Sequence, residues 1–173
     1  MTGASFVNTL TLADGVAGAS QSCLAPAYLA SASVRELAAL GAGYLRFLDR
    51  LPLLRLRDLP GIGATIGLCW PRLLPLLRFS TPYLAAARGG RELRYPLAGG
   101  LMLRSPGGWL AFGIAPEGAS TRLWIDVVGY APRLGLATLY LLTQVQLHRL
   151  ITTAYLRQVL RELQVGVDKA LSS

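Results

Sequence analysis

The sequence predicts an α+β fold, an antiparallel β-sheet covered by one long C-terminal helix, with further helical structure near the N-terminus. Two observations carry it. In the middle third, short runs rich in aromatic and branched residues ("PLLRFSTPY", "RELRYPL", "GLMLRS", "GWLAFGIA", "TRLWIDVVGY") alternate with Gly, Pro and Ser, the punctuation of strands and turns. After "APRLG" the apolar spacing changes to that of a helix and keeps it to about Gln164, a length of roughly 40 Å at about 1.5 Å per residue. An antiparallel sheet with one apolar face must be covered, and this helix is long enough to lie across it.

Taken in order, "SFVNTLTL" (Ser5 to Leu12) alternates and reads as a first strand. The small residues from Ala13 to Ala32 suggest a short helix and a loop. Ser33 with Glu36 makes a capping box, opening a helix that buries Leu37, Leu40, Tyr44 and Phe47 and stops at Pro52. "LPGIGATIGLCWPR" reads as turns around a short strand at Thr65 to Trp70. Its glycines lack the G-K-[ST] that a phosphate loop requires. "SPGG" and "PEGAS" then join neighbouring runs as tight turns, so the middle third forms a meander. In the last run Leu123, Ile125, Val127 and Gly129 are expected to face the core. Arg122, Trp124, Asp126, Val128 and Tyr130 take the other side. Nothing repeats and no linker interrupts the 173 residues, so one domain is expected.

The helix "LYLLTQVQLHRLITTAYLRQVLREL" carries the one histidine of the chain. At about 100° per residue, Gln146, Arg149, Thr153, Arg157, Arg161 and Gln164 form a solvent stripe. The opposite face is centred on Ala137, Leu141, Gln144, His148, Ile151, Tyr155 and Val159, flanked by apolar residues that seal the edges. Buried polar groups need partners. Gln144, His148 and Tyr155 therefore either bond one another or a strand within a solid core, or they orient a ligand in a cavity under the helix.

Composition bounds the remaining classes. Hydrophobic residues make up 53 % of the chain, yet no stretch suits a membrane span of about 18 apolar residues. The uncharged run from Leu134 reaches Arg149 after 15 residues, and Gly15 to Val34 is mostly Ala, Ser and Gly. No basic residue precedes Arg35, so a secretory signal is not expected; the reading is cytoplasmic, or peripheral to a membrane. The net charge of +8 comes from 16 scattered arginines and Lys169, a pattern that compositional bias explains better than nucleic-acid binding. Cys23 and Cys69 read as reduced, buried thiols. One His and two distant Cys argue against a metal site, and no cofactor fingerprint is present. Arg122 and Asp126 read as an exterior solvated pair. Trp70, Trp109, Trp124, Phe112 and Tyr95 are expected in the core or the wall of a cavity.

From "RYPLAGGLMLRSPGGWLAFGI" through "LWIDVVGYAPRL" to "LYLLTQVQLHRLITTAYLRQVL" the chain resembles the START-related, polyketide-cyclase-like helix-grip superfamily. The resemblance covers about Arg91 to Arg161. It implies a curved sheet gripping the C-terminal helix around an apolar cavity, and binding there of a lipid, polyketide, terpenoid or pigment. The ligand-facing residues expected are Trp109, Phe112, Trp124, Leu141, Ile151 and Tyr95. Some members of that superfamily are carriers and others are cyclases or dehydratases. A cofactor-independent enzyme is thus the alternative, with His148 as acid or base and Tyr155 and Gln144 polarising an apolar carbonyl substrate. A third reading is an accessory subunit or peripheral membrane protein that contacts a larger complex.

Overall fold

The computed structural model describes residues 6–26, 34–59, 63–68, 74–133 and 137–171. Among these, β1 (Phe6–Ala13) and β2 (Val16–Pro26) form a hairpin. Its turn is Asp14-Gly15, with φ of 51° and 75°. A two-residue turn of this kind needs positive φ at both positions, and Asp-Gly is a favoured pair for it. The segment expected to be a short helix and a loop is therefore a strand as far as Pro26. Its run of Ala, Ser and Gly gives little side-chain periodicity, but the Asp-Gly turn was the signal that it continues the first strand.

Helix α1 (Val34–Asp49) follows, with Glu36 in its first turn and Arg46 in its last, signs that suit the helix dipole. It buries Leu37, Tyr44 and Leu48, while Leu40 and Phe47 are half-buried against the core. The expected cap, Ser33, lies outside the described residues, as do Cys69 and Trp70. Then come β3 (Leu54–Leu59), β4 (Gly63–Leu68), β5 (Pro75–Phe79), β6 (Tyr83–Ala87), β7 (Gly90–Gly99), β8 (Trp109–Glu117) and β9 (Ser120–Tyr130). The run "GLMLRS" is not a strand. Gly100 has φ 127°, and Leu103 makes only an isolated bridge to Pro132.

The nine strands among the described residues belong to one antiparallel sheet, ordered β1-β2-β9-β8-β7-β5-β4-β3, with β6 beside β7. The expected meander is β7-β8-β9. The N-terminal hairpin docks on its far edge, where β2 pairs with β9. Strand β7 pairs with β6 along Gly90–Arg94 and with β5 near Leu97 and Gly99, so the sheet divides there.

Helix α2 (Ala137–Leu171) has 35 residues, about 50 Å at the usual rise. It does not cover the sheet alone. Helix α1 packs on β7, β8 and β3, and α2 packs beside it on β2. The inward residues of β2 are Ala17, Ala19, Gln21, Cys23 and Ala25, all but Gln21 small enough to admit the helix closely. The core between these layers is an aromatic cluster. Tyr44 of α1 meets Phe112 of β8 and Tyr155 of α2 at 5.3 Å between ring centres in each case. Tyr95 stands edge-on to Phe112 at 5.7 Å and to Phe79 at 6.4 Å, within the favourable range for aromatic pairs.

Candidate functional site: an apolar cavity under the helices

The same layers leave a cavity of about 600 Å³ between the inner sheet face and the two helices. Its floor is Leu97, Leu110 and Val127 from three adjacent strands. Ala17, Gly18 and Ala19 of β2 add backbone and little bulk. The end of α1 and the turn after it bring Leu48 and Leu51 to Leu54, and α2 contributes Leu147, His148 and Ile151. No described lining residue carries a formal charge at neutral pH.

Three lining side chains have polar tips: Tyr44, Tyr130 and His148. Tyr130 arrives through a β-bulge. Ala17 pairs with Tyr130 and Ala19 with Val127, which leaves an extra residue in β9. Gly129, at φ 68°, absorbs the irregularity. The alternation expected for β9 holds as far as Val127, and the bulge then turns Tyr130 inward, where its hydroxyl donates to the Met102 carbonyl at 2.9 Å. His148 heads a short polar chain. Its Nε2 lies 3.4 Å from the Thr152 hydroxyl, which lies 3.4 Å from the Tyr44 hydroxyl. Both contacts are at the long end for hydrogen bonds, so the lining groups His148 and Tyr44 are free to turn toward a ligand. Burial pulls the His148 pKa down to about 4, leaving a neutral ring with one donor and one acceptor nitrogen near pH 7. Burial pushes the Tyr44 hydroxyl up to about 12, so it stays protonated.

The structure separates two of the three polar residues of the expected inward line, His148 and Tyr155. His148 is on the cavity wall. Tyr155 is buried too, but between the helices, where its hydroxyl donates to the Leu40 carbonyl at 2.6 Å. It lines a second groove, of about 570 Å³, that Glu36, Arg46 and Glu162 border. The backbone of Gln144 belongs to α2, as does that of Leu141, and both side chains lie outside the described residues. Thr153, expected in the solvent stripe, instead accepts a hydrogen bond from the buried Gln21 amide of β2. Arg149, Arg157 and Arg161 are exposed as expected. The helix edges are not sealed throughout, since Leu147 and Leu150 are 55 % and 67 % exposed.

Of the other expected ligand contacts, Ile151 lines the cavity. Phe112 and Tyr95 are buried in the aromatic cluster rather than on the cavity wall. Trp109 and Trp124 lie on the opposite face of the sheet, because strand alternation sends Leu110, Phe112, Leu123 and Ile125 inward. Residues that periodicity alone did not single out for the site are Tyr130, which the bulge redirects, and Thr152, one turn after His148. Val127 was expected on the core side of β9, and Leu110 is its inward partner on β8.

The outer face has its own polar cluster. The Trp124 ring nitrogen donates to Glu92 at 3.2 Å, and Arg88 lies 5.2 Å above the ring. Arg88 also pairs with Asp126 at 2.6 Å, and Arg94 pairs with Glu92 while stacking on Trp109. Burial raises the Asp126 pKa. Arg122 pairs with Glu117, so Arg122 and Asp126 do not form the solvated pair expected of them, and Asp126 is buried.

Cys23 is a free, buried thiol whose pKa burial raises to about 12. Among the described residues no three His, Cys, Asp or Glu side chains are placed to hold a metal ion, and no helix is long and apolar enough to cross a membrane. Comparison of the chain with family models, curated proteins and solved structures gives no significant match.

Proposed function

We propose that the chain binds a hydrophobic small molecule, of the lipid, polyketide, terpenoid or pigment kind, in the cavity between the sheet and the helices. The observation that carries this reading is a space of about 600 Å³ with a leucine-rich wall and few polar tips. That volume lies within the range of small-molecule sites, as does a mostly apolar lining with a few placed polar groups. His148 and Tyr44, linked through the buried Thr152 hydroxyl, form the polar end and are positioned to meet a hydroxyl or carbonyl on an otherwise apolar ligand. The helix-grip arrangement belongs to the same proposal. Register shifts in the β2–β9, β4–β5 and β5–β7 pairings are features that bend strands, and both helices pack on one face of the sheet.

Binding is favoured over catalysis on the same grounds. A histidine with a pKa of about 4 is a weak base at neutral pH, and the Tyr155 hydroxyl is already engaged by Leu40. An environment-sensitive apolar fluorophore tests the reading. It should bind the native chain and be displaced by hydrophobic alcohols or ketones. Ile151→Trp, from the helix, and Val127→Trp, from the sheet floor, should weaken binding at least about tenfold, or about 1.4 kcal/mol, with the circular dichroism unchanged. Undiminished binding by both folded variants contradicts the proposal.

A further inference from the structure

The mouth of the cavity has a composition that ligand binding alone does not require. Leu10, Leu53 and Leu147 line the opening and are 51 %, 69 % and 55 % exposed. Leu12, two residues beyond Leu10 on the same face of β1, is 55 % exposed, and Leu150, one turn beyond Leu147, is 67 % exposed. These five leucines come from the N-terminal hairpin, the α1–β3 turn and α2. Single exposed leucines are ordinary, but a group of them around one opening marks an interaction surface.

The charges beside them indicate what that surface meets. Arg50 and Arg55 bracket the turn that carries Leu53, and both are exposed. Asp14, at the tip of the hairpin, is an exposed acid on the same hairpin as Leu10 and Leu12, and the whole chain carries +8. Leucines for the acyl boundary, with arginine side chains that can place their charges at the phosphate level, are the chemistry of an anionic bilayer surface.

We infer that the leucine rim docks on an anionic membrane, so that the cavity opens toward the lipid. This surface stands on exposure and charge, whatever the cavity holds. Flotation with phosphatidylcholine vesicles, with and without phosphatidylglycerol, tests it on the whole chain. The expected result is binding to the anionic vesicles that weakens as salt rises. Leu53→Ser with Leu150→Ser should reduce it by about tenfold or more, and Arg50→Gln with Arg55→Gln should flatten its salt dependence. Ile151→Trp, which blocks the cavity, should still float, so the membrane surface and the cavity are tested separately. Failure of the native chain to bind anionic vesicles overturns the inference. So does binding that neither pair of substitutions changes, or a stable dimer in solution whose contact buries these leucines.

Discussion

Gly113 and Trp124 show how one side-chain position decides which face of the sheet is packed. An ideal Cβ on Gly113 would lie 1.9 Å from the Trp124 ring, so the indole can cross β8 and reach Glu92 only over a glycine. Gly113→Ala should destabilise the fold by about 1–3 kcal/mol, the range for overpacking. Chemical denaturation with tryptophan fluorescence measures it, and unchanged stability would mean that the indole does not pack there. His148 has a different signature. Its pKa is near 6.5 when unfolded and about 4 when folded. Above pH 6.5 the ring is neutral in both states and the fold keeps its full stability. As the pH falls toward 4, the unfolded chain takes up a proton that the folded chain refuses. Stability should then drop by at most about 1.4 kcal/mol per pH unit. His148→Gln should flatten that slope in this window, and an equal slope in both proteins would place the imidazole in water.

The helices show the same dependence on close approach at the scale of elements. Gly43 faces Tyr155, and a Cβ there would come 2.6 Å from its hydroxyl. Gly43→Ala should therefore loosen the α1–α2 contact by about 1–3 kcal/mol. In a double-mutant cycle Tyr155→Phe should recover part of that loss, because it removes the clashing oxygen; strict additivity would separate the two sites. Long periodic elements were the legible ones. The phase of α2 put His148, Ile151 and Tyr155 inward, and the structure keeps them there. Periodicity stated that Tyr155 is buried but not that α1 would meet it, since the neighbour of a helix face is a tertiary property. Strand β2 departs from the helix and loop expected of it for a related reason. Its Ala, Gly and Ser residues carry no strong preference, and pairing with β9 makes it a strand.

For the whole molecule, the α+β class and the antiparallel meander followed from turn residues and alternation. The sharing of the sheet face by two helices did not. A sequence records that an apolar face must be covered, whereas the space left beneath the cover depends on where small residues such as Ala17, Gly18 and Ala19 meet large ones. Trp109 and Trp124 show the same limit. Their size suggested a cavity wall, but they sit on the outer face, sheltered by Arg88 and Arg94. The cavity is the central claim, and native mass spectrometry of the chain purified without detergent from its own host, followed by solvent extraction, tests it most directly. A hydrophobic passenger at one per chain, absent from Ile151→Trp prepared in the same way, is the predicted result. An unloaded native chain that also takes up no apolar ligand on titration would contradict it.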